Sequence, residues 1–156
     1  MMDKKKAFNL AILIIPWLTV PLMKRQPFFR YLPVASFTSL FLTVFSATAN
    51  KKKWWITKRP LLSGIPVDFP YILGPYFVGT LWVFKQTYGN FTKYLFTNIV
   101  LGIINVGAFF YISQKVVGVF KFKEMNNITW YTISLFTAIL IYGVQYTVEK
   151  SIRQTN

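Results

Sequence analysis

Five long apolar runs alternate with short basic connectors along this 156-residue chain. The runs cover residues 7–23, 31–49, 67–84, 94–113 and 128–148, which is 17, 19, 18, 20 and 21 residues, and none contains Lys or Arg. A helix needs about 20 apolar residues, range roughly 17–25, to cross the hydrocarbon core of a bilayer. Backbone groups in lipid must be hydrogen-bonded within the protein. The runs are too long for barrel strands of about 9–11 residues, and they lack the strict inward–outward alternation of a barrel. The pattern predicts an all-α fold: one domain over residues 1–156, an integral membrane bundle of about five transmembrane helices, with no soluble domain. Pro16, Pro21 and Pro33 leave open whether residues 7–49 make two full spans or a shallower hairpin.

Aromatic residues mark the edges of the runs. Trp54 and Trp55 follow Lys51, Lys52 and Lys53, Trp82 lies near the end of the third run, Trp130 and Tyr131 open the fifth, and Tyr142 and Tyr146 close it. Trp and Tyr favour the headgroup level, where a ring is half buried and its polar tip is wet.

Composition agrees with this pattern. The chain is 54% hydrophobic, 19% aromatic and 14% charged, against about 25% charged for an ordinary soluble domain. Eighteen Lys and Arg face four acids, Asp3, Asp68, Glu124 and Glu149, for a net charge of +14. The basic residues bracket the apolar runs, as in Lys4–Lys6, Lys24, Arg25, Arg30, Lys51–Lys53, Lys58 and Arg59. That placement predicts a bilayer with anionic headgroups as partner, and not a nucleic acid, which would require the charge on one folded face. A signal peptide is not expected, because Lys24 and Arg25 occupy the region where its cleavage site would fall, and Ala47-Thr48-Ala49 follows a second apolar run.

Candidate chemistry is sparse. With no Cys and no His, the chain has no disulfide framework, no thiolate metal site and none of the commonest general base. Enzymatic activity, a catalytic residue, a cofactor and a bound metal are therefore not expected. Ser63, close to Lys58, is the one candidate for a nucleophile–base pair. Asp68, Asn98 and Asn105 are the candidate polar site within the membrane, since polar groups there are costly without partners. Asp68 also suits a helix cap or a salt bridge to Lys58 or Arg59. Pro75 lacks an N–H and its ring crowds the carbonyl of Tyr71, so Gly74 and Pro75 predict a helix break of the kind that exposes backbone in transporters. Ser36, Ser39, Thr43, Ser46 and Asn50 recur at intervals of three and four, a helix-packing face. Gly102 joins the Asn98–Asn105 face, and the hydroxyls of the second run are the expected partners of the two amides. Asn90-Phe91-Thr92 and Asn127-Ile128-Thr129 match a glycosylation pattern that is common by chance, and Lys115, Lys121 and Lys123 suggest a short interfacial segment.

Trp54-Trp55, the run from Pro70 through Gly74, Pro75 and Gly79 to Trp82, and Thr87-Tyr88-Gly89-Asn90-Phe91 resemble small multi-pass membrane proteins of spore-forming Gram-positive bacteria. The resemblance covers residues 54–91 best. It implies a bacterial cytoplasmic membrane and supplies neither an activity nor a functional residue.

Two function classes follow ahead of a third, an intramembrane enzyme whose catalysis would rest on Asp68, a Ser or a Lys. The first is a structural or interaction subunit acting through helix–helix contacts, with a membrane-protein partner or a second copy of itself. The second is a small transporter, channel or lipid-handling protein using the Gly74–Pro75 break and the Asn98/Asn105 face. Five passes place the N-terminus and the loops 50–66 and 114–127 on one side, with eleven Lys and Arg, and the other loops and the C-terminus on the opposite side, with seven. Lys and Arg favour the cytoplasmic side, so the N-terminus is predicted inside and the C-terminus outside. A reporter fused at Asn156 is expected to give an external signal. A cytoplasmic signal rejects either the orientation or the count of five.

Overall fold

The computed structural model describes residues 4–57, 69–109, 111, 112, 115 and 120–155. Among the described residues, five helices fall on the five apolar runs. Helix α1 is Lys4–Trp17, followed by a 3-10 turn at Val20–Leu22, and α2 is Arg25–Lys51. Helix α3 passes through Phe69–Tyr71, a π-type turn at Ile72–Tyr76, and Phe77–Thr87. Helix α4 is Phe91–Ile104, widening into a π-type turn over Asn105–Phe109, and α5 is Asn127–Thr155. Strands β1, Trp55–Thr57, and β2, Phe120–Phe122, pair antiparallel with Ile56 opposite Lys121. This ribbon of three residues per strand stands where a short interfacial segment was expected.

Local chemistry sets most of the helix ends. Asn90 caps α4 by accepting the Lys93 N–H at 2.9 Å, and Asn126 caps α5 by accepting the Thr129 N–H at 2.7 Å. Asn90 is thus a helix cap and Asn127 the first residue of a helix, both inside the sequences that match the glycosylation pattern. Gly89, at φ +96° in the turn between α3 and α4, occupies the left-handed region open to glycine. At the end of α2, Lys53 takes φ 58°, the Trp54 N–H reaches back to the Ala49 carbonyl at 2.9 Å, and the Lys53 N–H bonds Asn50 at 3.1 Å. This double closure turns the chain into β1.

The first helix is shorter than its apolar run predicts. Fourteen residues at 1.5 Å each reach about 21 Å, short of a hydrocarbon core of about 30 Å. Pro21 is the reason: it has no N–H for the Trp17 carbonyl, and the chain tightens into i→i+3 bonds such as Thr19 N–H to Pro16 at 3.0 Å. Among the described residues, three helices are long and apolar enough to cross a membrane: Arg25–Lys51, Phe91–Ala108 and Asn127–Gln154. The segments of α1 and α3 are not among them.

The helices alternate in direction. Arg30, near the start of α2, pairs with Glu149, near the end of α5, with Nε–Oε1 at 2.5 Å and Nη2–Oε2 at 2.8 Å. Phe45 of α2 lies against Trp55 and Trp130 at the ribbon end. Trp17 of α1 stacks on Phe77 of α3, and Thr19 accepts from Trp82 Nε1 at 2.9 Å, so α1 and α3 run side by side in the same direction. The main core gathers Tyr31, Val34 and Ala35 of α2, Phe77, Val78, Leu81 and Phe84 of α3, Tyr94 of α4, and Ala138 and Ile141 of α5. A second cluster of Ala49, Trp55, Met125 and Trp130 closes the ribbon end.

The buried face of α2 is Tyr31, Val34, Ala35, Thr38, Ser39, Leu42, Ser46 and Ala49, a seam with i, i+3, i+4, i+7 spacing. It corrects the expected packing face: Ser39 and Ser46 lie in the seam, Thr43 is half-buried and Ser36 is exposed. Apolar Tyr31, Val34, Ala35, Leu42 and Ala49 share the seam with Thr38, Ser39 and Ser46.

At Gly74 and Pro75 the chain does not break. It widens by one residue per turn, with the Phe77 N–H bonding both Gly74 and Ile72 carbonyls, which accommodates the proline without ending the helix. Gly74 carries α1: a β-carbon there would lie on the carbonyl oxygen of Ile12 and 3.1 Å from Leu13 Cα. At Gly79, one turn later, a β-carbon meets open space. Gly74→Val is expected to lower stability in detergent by about 1–3 kcal/mol, read as a fall in midpoint by scanning fluorimetry, whereas Gly79→Ala is expected to hold or raise the midpoint.

Candidate functional site

A cleft of about 320 Å³ lies between α3, α4 and α5. Each helix contributes one face to it. On α3 the lining residues Tyr71, Pro75, Tyr76, Gly79, Thr80 and Val83 recur at helical spacing. On α4 they are Asn98, Leu101, Gly102 and Asn105, and on α5 Trp130, Tyr131, Ser134, Leu135 and Ile141. The cleft therefore brings together Asn98, Gly102 and Asn105, and it adds Pro75. Gly74 faces away, toward α1. Asp68, Lys58, Arg59 and Ser63 lie outside the described residues, so the cap, salt-bridge and nucleophile roles weighed for them have no geometry here.

The two amides do not find the partners expected for them. Asn98 Nδ2 donates to the Tyr94 carbonyl in its own helix at 2.9 Å. Asn105 Nδ2 donates to the Tyr71 hydroxyl, tying α4 to α3, and Asn105 Oδ1 is buried with no partner. The threonines of α2 are occupied locally, Thr38 bonding the Val34 carbonyl at 2.8 Å and Thr43 the Ser39 carbonyl at 2.7 Å, whereas Ser39 Oγ is buried with no partner. A Thr in an apolar helix meets its own i−4 carbonyl without any tertiary contact, which is why these side chains do not reach the amides. Thr80 and Thr137 do the same.

Bonds between helices come instead from aromatic side chains long enough to cross the gap. Tyr76 Oη lies 3.4 Å from Ser134 Oγ, joining α3 to α5. Tyr94 Oη donates to the Ala138 carbonyl at 2.8 Å, joining α4 to α5. Between α4 and α5, a β-carbon on Gly102 would come within 2.7 Å of the Tyr131 ring. These contacts also order the cleft lengthwise. Tyr71, Asn105 and Tyr131 stand nearest the ribbon end, Tyr76 and Ser134 follow, then Thr80 and Asn98, and Val83, Phe84, Tyr94 and Ile141 close the far end. Among the described residues the wall is uncharged, and polar and apolar side chains line both halves of it.

No Lys, Arg, Asp or Glu is among the described residues lining the cleft, although the chain carries +14. Among the described residues no group of three or more His, Cys, Asp or Glu is positioned to hold a metal ion. A smaller pocket of about 60 Å³ shares Tyr76, Thr80, Asn98 and Ser134 and reaches Thr38 and Leu42 of α2. Sequence reasoning found the α4 face and missed Tyr71, Tyr76, Tyr131 and Ser134. The available signal was the spacing of Tyr71, Pro75, Gly79 and Val83 along one face of α3.

No family model matches the chain, and no curated protein or solved structure matches it. The reading of the cleft rests on its chemistry alone.

Tyr94 is the most deeply buried of the bridging groups, fully enclosed. Tyr94→Phe is expected to cost about 0.5–1.5 kcal/mol, read as a lowered denaturation midpoint in detergent. Tyr146→Phe, at a residue 60% exposed, is expected to leave the midpoint unchanged.

Proposed function

We propose that this is a multi-pass membrane protein that holds a neutral, lipid-like molecule in the cleft between α3, α4 and α5. The observation that carries the reading is a cleft of about 320 Å³ with no charged group among its described lining residues. Small-molecule pockets are about 300–1,000 Å³, mostly apolar, with a few placed polar groups. A site for a metal ion, a proton relay or an inorganic ion requires charge or a dense set of oxygen ligands. Within the transporter, channel or lipid-handling class, the uncharged wall favours lipid handling. Three helices of sufficient length and apolarity support the membrane setting, and the sequence resemblance favours a bacterial cytoplasmic membrane.

In this reading the ribbon end is cytoplasmic. Exposed Lys51, Lys52, Lys53, Lys121 and Lys123 cluster there, beside the anionic headgroups of the inner leaflet. The opposite end carries the Arg30–Glu149 pair and the C-terminus.

A second reading, a subunit acting through helix contacts, is favoured by α4. Only 6% of its apolar window is buried within the bundle, and Phe96, Ile103 and Ile104 are exposed. One experiment separates the two. The protein is crosslinked in cells, purified in mild detergent and weighed intact by native mass spectrometry, alongside Gly79→Phe. Gly79 lines the cleft and a β-carbon there meets nothing within 4 Å, so the Phe ring is placed to enter the cleft. A retained lipid that is lost in Gly79→Phe, at unchanged helix content, is the expected result. A reproducible protein partner with no retained lipid in either form rejects the cleft reading in favour of the subunit.

A further inference from the structure

We infer that the ligand of this cleft carries an uncharged hydrogen-bond donor, an N–H or an O–H, and that this donor bonds the side-chain oxygen of Asn105. The inference rests on the reading of the cleft as a lipid site and adds the head chemistry and the residue that recognises it.

An acceptor is left over in the wall of the cleft. Asn105 lines it together with Tyr71, Trp130 and Tyr131, and Asn105 Oδ1 is buried with no partner. Nearly all buried polar groups in folded proteins have a partner, and one left without costs about 1–3 kcal/mol. Two other described side chains hold a buried atom of this kind, Ser39 Oγ and Gln145 Oε1, and neither residue lines the cleft. The unmet acceptor of the cleft is therefore at Asn105, and a molecule that fills the cleft is placed to meet it.

Neighbouring polar groups are engaged elsewhere. Asn105 Nδ2 donates to the Tyr71 hydroxyl, and the Tyr76 hydroxyl is shared between Tyr71 and Ser134. The Thr80 hydroxyl bonds the Tyr76 carbonyl at 2.7 Å, and Asn98 Nδ2 the Tyr94 carbonyl at 2.9 Å. Turning the Asn105 amide over would give Oδ1 to Tyr71 and leave both bonds of the NH2 group unpaired, two unmet donors in place of one unmet acceptor. The orientation with the free oxygen is the better satisfied, and it calls for a donor. A carboxylate, phosphate, ester or ether head offers this oxygen acceptors alone. An ammonium head brings three donors and a charge to a wall with no carboxylate among its described residues, at a large desolvation penalty. A single uncharged N–H or O–H is satisfied by one acceptor.

The test is photolabelling of the purified full-length protein in non-ionic detergent. Three long-chain probes carry a diazirine close to the head and differ only in the head: an N-methyl amide, the methyl ester of the same shape, and a primary amine at neutral pH. Labelled residues are located by peptide mass spectrometry. The amide is expected to label residues 101–106 of α4 and 71–76 of α3 more strongly than the ester by roughly threefold to tenfold, the range of one net hydrogen bond, and more strongly still than the amine. In Asn105→Leu the amide is expected to fall to the level of the ester, while the ester labels as before. In Tyr76→Phe, which leaves Asn105 and Tyr71 in place, the preference is expected to remain. Equal labelling of the cleft by amide and ester in the unaltered protein, the result if a water serves Asn105 Oδ1, overturns the assignment without recourse to any variant. Strongest labelling by the amine, a preference that survives Asn105→Leu, or one lost in Tyr76→Phe also overturns it, and each leaves the lipid cleft standing. Labelling confined to other surfaces by every probe overturns the cleft reading itself.

Discussion

A side chain at Gly74 would collide with the carbonyl of Ile12, so the missing side chain is what lets α1 lie directly on α3. Much else depends on that approach. With α1 seated there, Trp17 stacks on Phe77 and donates to the Leu73 carbonyl at 2.8 Å within the widened turn. Trp82 is held to Thr19. Helix α3 thereby receives α1 on one side, α2 along Ile72, Phe77, Leu81 and Phe84 on another, and keeps a third side for the cleft. The π-type turn makes this compatible with Pro75, because the wider turn absorbs the proline without ending the helix.

The second governing constraint is how polar groups are satisfied among apolar helices. Thr38, Thr43, Thr80, Thr87 and Thr137 bond carbonyls of their own helices, so they contribute little attraction between helices. The bridges fall to Tyr71, Tyr76, Tyr94, Trp17 and Trp82, whose polar atoms sit at the far end of a rigid ring. Such bridges hold helices together at ring length. Tyr71 and Tyr76 of α3 and Tyr131 of α5 line the space left between α3, α4 and α5, and the cleft occupies that space.

Among the described residues, no charged side chain is buried in the core or lines the cleft. Glu149 is bonded by Arg30 and by Gln145 at 3.1 Å, while Arg30 also lies over the rings of Tyr31 and Tyr88. The pair closes the bundle at the end remote from the ribbon. At the ribbon end, Trp55, Trp130 and Phe45 pack beneath a surface of exposed lysines. A neutral cleft between two charged ends matches a ligand drawn from the apolar layer and not from water.

The apolar runs determined that five helices exist and nearly where they lie, because helix formation depends on backbone bonds that close within a few residues. Local chemistry also made some ends legible: Asn90 before α4 and Asn126 before α5 are caps of the ordinary kind. The Asn98–Gly102–Asn105 face could be read because its spacing is a property of one helix. Three features lay beyond the sequence. The ribbon of Trp55–Thr57 with Phe120–Phe122 joins segments more than sixty residues apart. The short α1 and the continuous α3 turn on how Pro21 and Pro75 are accommodated, which spacing does not show. The partners of Asn105, the exposure of Ser36 and the cleft itself depend on how far each helix is rotated about its axis. That rotation is set by packing across helices, by Gly74 under Ile12 and Gly102 under Tyr131, and only the tertiary structure decides it.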